Sequence, residues 1–254
     1  MPQSDILVIA PLDSSGGAGL NQDIRVCSLF GKQPHTCLTG VTIQNHEGLM
    51  AIHPVSDAVL SSQLEGVLQA LEIHLVKIGA LCSPSQVDIF LKLLQRPRPF
   101  KVILDPVLKP SRGLEFIADT NLEKYRKLLG ITDFLCPNLE ELAALVPFQT
   151  EDYDSALRAA RKLAVDQGFT ILLKGGHGKG EKIEEAFVTD EKAVLSSHSR
   201  RTWNYSHGTG CAFASAFMCY LSDDIPPEEA FQLASRWVVD FYDRLNDPYE
   251  SKMI

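Results

Sequence analysis

Short apolar runs rich in β-branched residues alternate with amphipathic segments along most of the chain. Residues 6–10 form an uninterrupted apolar run, typical of a strand buried on both faces, whereas residues 57–71 carry apolar side chains at helical spacing. The pattern predicts strands at 6–10, 75–79, 101–105, 132–136, 170–174, 186–189 and 193–196, with a further apolar stretch at 36–43. It predicts helices at 20–30, 57–71, 86–94, 121–129, 139–145, 153–166 and 209–221, and a last helix that ends near residue 245.

This alternation of strands and helices is typical of an α/β domain, in which a mainly parallel sheet is covered by helices on both faces. A chain of 254 residues is expected to form one such domain, and no internal repeat or linker divides it. In folds of this kind, ligands bind beyond the carboxyl ends of the strands. Polar, glycine-rich or acidic segments follow the predicted strands at 13–19, 79, 105, 137–138 and 174–177. The sequence therefore predicts one ligand crevice along this edge of the sheet.

Composition narrows the class of protein. Hydrophobic residues make up 45% and charged residues 22%, as in a soluble globular protein with a substantial core. The net charge of −8 argues against nonspecific binding to nucleic acid or to an anionic membrane. The six cysteines show no paired CxxC spacing, which argues against a zinc site or a disulfide framework. No signal peptide precedes the first strand and no apolar run approaches about 18 residues, so we expect a cytoplasmic protein without a membrane span.

One motif near the C-terminus suggests an anion site. Gly208, Thr209, Gly210 and Cys211 stand directly before a run of good helix formers. The first backbone N–H groups of a helix have no intrahelical partner and lie at the positive end of its dipole, which favours an anion such as phosphate. A thiol in the first turn would have its thiolate favoured, so Cys211 is a candidate base or nucleophile. The alternative is a tight turn before a buried helix with an inert cysteine.

Polar residues at the ends of other strands are further candidates. Lys174 is followed by Gly175 and Gly176, and its cation would suit phosphate oxygens, although it could equally extend to solvent. Asp105 places a carboxylate at the expected crevice. Gln44 has a donor and an acceptor that would suit the edge of a heterocycle. Asp105 and Gln44 could each instead be a capped loop residue.

Asn138 and Glu141 have two interpretations. Asn138 stands where a predicted helix begins and Glu141 follows three residues later, an arrangement that favours a capping box. The alternative is a polar pair that faces a hydrated magnesium ion, which prefers oxygen ligands and keeps several waters. The histidines of the chain fit no metal-ligand spacing and are interpreted as loop residues.

Taken together and in this order, seven segments resemble the hydroxymethylpyrimidine/phosphomethylpyrimidine kinases of thiamine biosynthesis, a branch of the ribokinase-like superfamily. They span nearly the whole chain, and seven in order are hard to obtain by chance. The segments are Asp-Ser-Ser-Gly-Gly-Ala-Gly at 13–19, Thr-Ile-Gln-Asn at 42–45, Lys-Ile-Gly at 77–79, Asp-Pro-Val at 105–107, Pro-Asn-Leu-Glu-Glu at 137–141, Lys-Gly-Gly-His at 174–177 and His-Gly-Thr-Gly-Cys at 207–211.

The resemblance implies a ribokinase-like three-layer α/β/α fold that uses ATP and Mg²⁺. The loop 208–210 would be an anion hole for the transferred phosphoryl group, and Cys211 would be the base for the substrate hydroxyl. Lys174 and Gly176 would contact ATP phosphates. Asn138 and Glu141 would hold water molecules around Mg²⁺, with Asp105 nearby. The residues that would bind the pyrimidine substrate are Asp13, Ala18, Gln44 and Val107.

Three positions depart from the family beside the expected ring pocket. Pro11 and Leu12 replace the usual Gly-Ser, and Ala80 replaces the usual methionine. The main hypothesis is a kinase that phosphorylates a pyrimidine alcohol, its monophosphate, or both. The altered pocket leaves pyridoxal, or a related pyridine alcohol, as an alternative substrate, and a catalytically silent ligand-binding relative is a third hypothesis. The resemblance alone implies a homodimer.

Overall fold

The apolar run at 6–10 lies in the interior of a nine-stranded sheet. A computed structural model describes residues 6–45, 47–95, 97–110, 113–147, 152–175 and 180–247. The strands are β1 (Ile6–Asp13), β2 (His35–Asn45), β3 (Gly48–Pro54), β4 (Leu75–Ile78), β5 (Lys101–Leu104), β6 (Phe134–Leu135), β7 (Thr170–Leu173), β8 (Lys182–Val188) and β9 (Ala193–Ser199). The α-helices are α1 (Gly19–Leu29), α2 (Asp57–Ala70), α3 (Gln86–Leu93), α4 (Leu122–Arg126), α5 (Leu139–Leu145), α6 (Tyr153–Gln167), α7 (Thr209–Ser222) and α8 (Pro227–Leu245).

The sheet order is β3-β2-β1-β4-β5-β6-β7-β8-β9. All pairs from β2 to β7 are parallel, whereas β3, β8 and β9 pair antiparallel at the two edges. Alternate residues of β1 enter two different cores, which explains why its sequence is apolar without interruption. Leu7 and Ile9 pack with α2 to α6, and Ile6 and Val8 pack with α1, α7 and α8. The predicted three-layer α/β/α architecture is confirmed.

The local pattern fails in three places. β3 was not predicted, because it is a partly exposed edge strand that forms through antiparallel pairing with β2. β8 begins at Lys182, four residues before the predicted strand, because its first half is mostly exposed and lacks an apolar pattern. The helix predicted at 121–129 is instead the short α4 between two 3₁₀ turns, Asp119–Asn121 and Lys127–Ile131.

No helix within the described ranges is long and apolar enough to span a membrane.

Candidate active site

Five parallel neighbours, β1, β4, β5, β6 and β7, end at one edge of the sheet. Asp13 ends β1, and Gly79, Asp105 and Lys174 directly follow β4, β5 and β7. Asn138 lies between β6 and α5 and pairs with Lys174 through an isolated bridge. The polar segments that the sequence placed after strands therefore share one edge, as the topology requires.

Lys174 lies between two carboxylates at this edge. Its Nζ is 2.8 Å from Asp105 Oδ1 and 3.9 Å from Glu141 Oε2, and its side chain is only 12% exposed. Burial alone would lower the pKa of Lys174, but the charges of Asp105 and Glu141 outweigh burial and raise this pKa above its usual range. The side chain of Lys174 therefore does not extend into solvent. Its ammonium stays protonated and lies beside two acidic groups.

The start of α5 is a capping box. Asn138 Oδ1 accepts the N–H of Glu141 at 2.8 Å, and Glu141 Oε2 accepts the N–H of Asn138 at 2.8 Å. The capping interpretation of this pair is thus confirmed. Burial raises the pKa of the Glu141 carboxyl to about 7, although Lys174 opposes this shift. Glu141 can consequently change its protonation state near neutral pH.

Asp13 holds two loops together. Its carboxylate accepts hydrogen bonds from Ser15 N at 2.7 Å, from Ala18 N at 2.8 Å and from Gly17 N at 3.2 Å. His207 Nε2 lies 2.9 Å from Asp13 Oδ2. Burial disfavours the charge of Asp13, but the hydrogen bonds from His207 and Ser15 prevail and hold its pKa well below the usual range. Asp13 is therefore an ionised anchor between the turn after β1 and the loop before α7.

The same two loops interlock through glycines. Gly208 has φ +81°, and a Cβ added there would lie 2.0 Å from the carbonyl oxygen of Gly17. A Cβ on Gly17 would lie 2.3 Å from the hydroxyl oxygen of Tyr205 and 2.4 Å from a ring carbon of His207. Gly208 does not accept a side chain, because it meets the backbone of Gly17 directly, and a side chain at Gly17 would displace the side chains of Tyr205 and His207.

The N-terminus of α7 lies beside Lys174. No side chain caps this end of the helix, whose N-cap residue is Gly208. A Cβ added to Gly210 would lie 3.2 Å from Lys174 Nζ, so the cation is in contact with the first turn. The N–H groups of residues 209–211 precede the first backbone bond of the helix, from Ala212 N to Gly208 O. Positive charge and helix-terminal donors thus converge at one place.

Cys211 lies in the same first turn and is partly exposed. The charge of Lys77 and the N–H of Gly19 both favour negative charge on its sulfur. Burial nevertheless raises the pKa of the Cys211 thiol to about 12, and Lys77 offsets only part of this shift. The expected depression of this pKa is therefore wrong, because desolvation outweighs the favourable effects of Lys77 and of the Gly19 N–H.

The predicted substrate residues lie in two places, around Asp13 and next to Asp105. Ala18 is the N-cap of α1, and Gln44 on β2 hydrogen-bonds Asp13 through its side chain. Val107 follows Asp105, with its N–H 2.8 Å from the Asp105 carbonyl oxygen. Gly176, assigned to ATP phosphates, lies outside the described residues.

Two groups of functional interest were not predicted from the sequence. His207 was interpreted as a plain loop residue, although it binds Asp13. Lys77, Asp23 and Ser215 form a buried polar network behind Cys211. A lysine inside the apolar run of β4 was the available signal, since a buried ammonium requires a partner.

Comparison with known proteins identifies the family of this chain. The family described as phosphomethylpyrimidine kinase matches residues 13–247. The thiamine biosynthesis multifunctional protein ThiED of Corynebacterium efficiens is 32% identical over 93% of this chain, which spans 32% of that relative. The chain thus spans about a third of the length of this curated relative.

Solved structures give the same fold. The crystal structure of phosphomethylpyrimidine kinase from Clostridium difficile has a TM-score of 0.79 and 26% identity, and the match covers 92% of this chain and 97% of that chain. The ADP complex of pyridoxal kinase from Bacillus subtilis has a TM-score of 0.83 at 24% identity, covering 92% of this chain and 90% of that one, and shows the fold alone.

The family match extends from Asp13, which anchors the glycine-rich turn, to Asp247, two residues beyond α8, and so includes every described candidate residue of the edge. On this match, and on the ribokinase-like fold, the chain belongs to the phosphomethylpyrimidine kinase family.

Proposed function

We propose that the protein is a single-domain, ATP- and Mg²⁺-dependent kinase of thiamine biosynthesis. Its substrate would be the hydroxymethyl group of 4-amino-5-hydroxymethyl-2-methylpyrimidine, and then the resulting monophosphate. The observation that carries this proposal is the contact between Lys174 Nζ and the uncapped first turn of α7, which includes Cys211. Family membership and the name of the Clostridium difficile relative support the choice of substrate.

Phosphoryl transfer depends mostly on positioning and on charge compensation, and the residues at the edge suit both. In this proposal the backbone N–H groups of residues 208–210 bind the oxygens of the transferred phosphoryl group. Lys174 offsets phosphate charge while Asp105 and Glu141 hold its ammonium in place. Gly176 would add a contact to the phosphates.

The acidic residues fit a hydrated magnesium ion. Asp105 Oδ2 is buried and has no hydrogen-bond partner among the described residues, which leaves an acceptor free for a water molecule of the ion. The described part of the chain contains no cluster of three or more His, Cys, Asp or Glu side chains that could hold an ion directly. One or two carboxylates with several waters is the usual magnesium environment, so Asp105, Glu141 and Asn138 would hold the ion through water. When bound, Mg²⁺ supplies positive charge at the phosphates.

Cys211 is the proposed base. Its sulfur would accept the proton of the substrate hydroxyl as the new oxygen–phosphorus bond forms. Because burial raises the pKa of this thiol, the role requires nearby positive charge that favours the thiolate.

The substrate would lie between the turn at Ala18 and the segment at Val107. Gln44 would pair with the edge of the pyrimidine through its side-chain amide. Asp13 would act indirectly, since its carboxylate oxygens already accept hydrogen bonds from the loop and from His207.

The test is product analysis by mass spectrometry after incubation of the full chain with ATP, Mg²⁺ and one alcohol. We expect the mono- and then the diphosphate of the pyrimidine alcohol, and product formation about 10²–10⁴-fold slower in the Cys211→Ala control at matched concentration. Turnover of pyridoxal without turnover of the pyrimidine alcohol would replace the substrate with the pyridine alternative suggested by Pro11, Leu12 and Ala80. Absence of both products, together with no ATP binding by calorimetry, would identify a silent relative.

A cytoplasmic homodimer is part of the proposal. Leu12 and Val41 are register partners on β1 and β2, and both are exposed, as is Ile43 two residues further along β2. We expect light scattering to give twice the 28.0 kDa of one chain, and Val41→Lys to shift the protein toward monomer. Leu195→Lys, at an exposed position on β9, is the matched control and should leave the mass unchanged. A monomeric wild type would refute the dimer.

All six cysteines are free thiols, which suits a reducing compartment, and cell fractionation would check the cytoplasmic location.

A further inference from the structure

A fully buried charge lies beneath the candidate site. Lys77 on β4 is 0% exposed, and its Nζ is 2.5 Å from Asp23 Oδ1 on α1. The same carboxylate oxygen accepts the hydroxyl of Ser215 on α7 at 2.8 Å. A buried ion pair is seldom a net source of stability compared with apolar residues of similar size. The pair therefore calls for a functional explanation.

The network is aligned with Cys211. Cys211 and Ser215 are four residues apart on α7, so their side chains lie on one face of the helix. Gly19 and Asp23 are likewise four residues apart on α1. The first pair across the two helices is Gly19 N–H with the Cys211 sulfur, and the second is Asp23 with Ser215. Cys211 therefore lies one helical turn above the ion pair.

Lys77 retains donors beyond its contact with Asp23. An ammonium has three N–H donors, and Asp23 is the one hydrogen-bond partner that Lys77 has within the described ranges. Lys77 lies on the same face of β4 as Leu75, which packs in the core formed with α1 and α7. Its charge therefore acts on the space between these helices, where the sulfur of Cys211 also lies.

We propose that Lys77, fixed by Asp23, is the positioning residue that stabilises negative charge on the sulfur of Cys211. This inference rests on the proposed function, because the charge has a purpose only if Cys211 takes a proton. Cys211 first releases its thiol proton to water and becomes a thiolate. The thiolate then accepts the proton of the alcohol, while the ammonium of Lys77 keeps all its protons.

The charges around the sulfur support this assignment. Burial disfavours the thiolate most, Lys77 favours it, and Asp105 and Asp23 disfavour it. Among the charged groups, Lys77 contributes most to stabilising the thiolate. Its own pKa is raised because the negative charges of Asp23 and Asp105 outweigh burial, so it remains cationic.

The test measures the thiolate without any substrate. The full-length protein is alkylated with iodoacetamide between pH 7 and 10, and modification of the Cys211 peptide is followed by mass spectrometry. Alkylation follows the thiolate fraction, and each unit of pKa changes that fraction by about tenfold below the pKa. We expect Lys77→Met to slow alkylation of Cys211 by at least about tenfold across this range, a shift of at least about one pKa unit.

Matched variants separate charge from packing. Lys77→Met leaves Asp23 buried without its cation, so Asp23→Asn combined with Lys77→Met is the second variant, and it should also react more slowly than wild type. Ser215→Ala removes a hydrogen bond of the same network without removing charge, and it should keep the wild-type rate. A structural role for Lys77 predicts the opposite, because loosened packing exposes the thiol and speeds its alkylation.

Failure of the role proposed for Lys77 and failure of the proposed kinase function give different results in these experiments. Alkylation of the double variant as fast as wild type, in a protein that phosphorylates its substrate, would overturn the role of Lys77 alone. Slow alkylation in a protein without kinase activity would retain the electrostatic pairing and overturn the kinase proposal. In an active enzyme, we expect the double variant to lower kcat and leave the KM for ATP unchanged.

Discussion

Cys211→Ala is expected to lower kcat by about 10²–10⁴-fold while the affinity for ATP stays nearly unchanged. The alanine removes the group that would accept the hydroxyl proton, but it leaves the backbone N–H groups of α7 and the contact between Gly210 and Lys174 in place. Steady-state kinetics with varied ATP, together with calorimetric titration of ATP, separates the two effects. Cys211→Ser should also be strongly impaired, since a hydroxyl is a far weaker acid than a thiol.

Cys219→Ala is the matched control. Cys219 lies on the same helix, is fully buried and has its sulfur 3.8 Å from that of Cys27. We expect this variant to be less stable than wild type, because it leaves a small cavity, but to retain kcat. A decrease of less than about tenfold for Cys211→Ala would mean that Cys211 shapes the loop and does not take the proton.

Gly208→Ala is expected to lower kcat by about 10²–10³-fold, comparable to the loss of a donor in an oxyanion hole. The new methyl group would lie 2.0 Å from the carbonyl oxygen of Gly17, so one of the two loops must move. Either movement displaces the N–H groups before Cys211 or breaks the hydrogen bond between Asp13 and His207. The melting temperature and kcat are measured on the same preparation.

Gly31→Ala isolates the backbone penalty. Gly31 has φ +71°, close to the +81° of Gly208, but no atom lies within 4 Å of an added Cβ. Both substitutions place alanine in the left-handed region, at a cost of about 1–2 kcal/mol, and only Gly208→Ala adds a clash. Gly31→Ala should therefore lose stability and retain activity. Equal activity of the two variants would show that the interlocked loops do not position the anion site.

Local sequence patterns predicted the layers of the fold and the edge that carries the site. The apolar runs of β1, β4 and β5 indicated strands that are buried on both faces. Because the strands are parallel, Asp105 and Lys174 lie at one edge of the sheet. The capping box of Asn138 and Glu141 was also predictable, because its partners are three residues apart. The edge strand β3 was not, since it forms by pairing with β2 and its burial does not alternate along its own sequence.

The amino-acid sequence by itself determined the order of strands and helices, the position of the glycine-rich turn before α7 and the residue types at the sheet edge. Tertiary structure alone decided which polar groups meet: Asp13 and His207 are 194 residues apart in sequence, and Asp23 lies 54 residues from Lys77 and 192 from Ser215. It also decided that Cys211 is a neutral thiol, because desolvation depends on what packs around the sulfur. Short-range patterns report propensity and burial, whereas charge and protonation depend on neighbours that only the folded chain brings together.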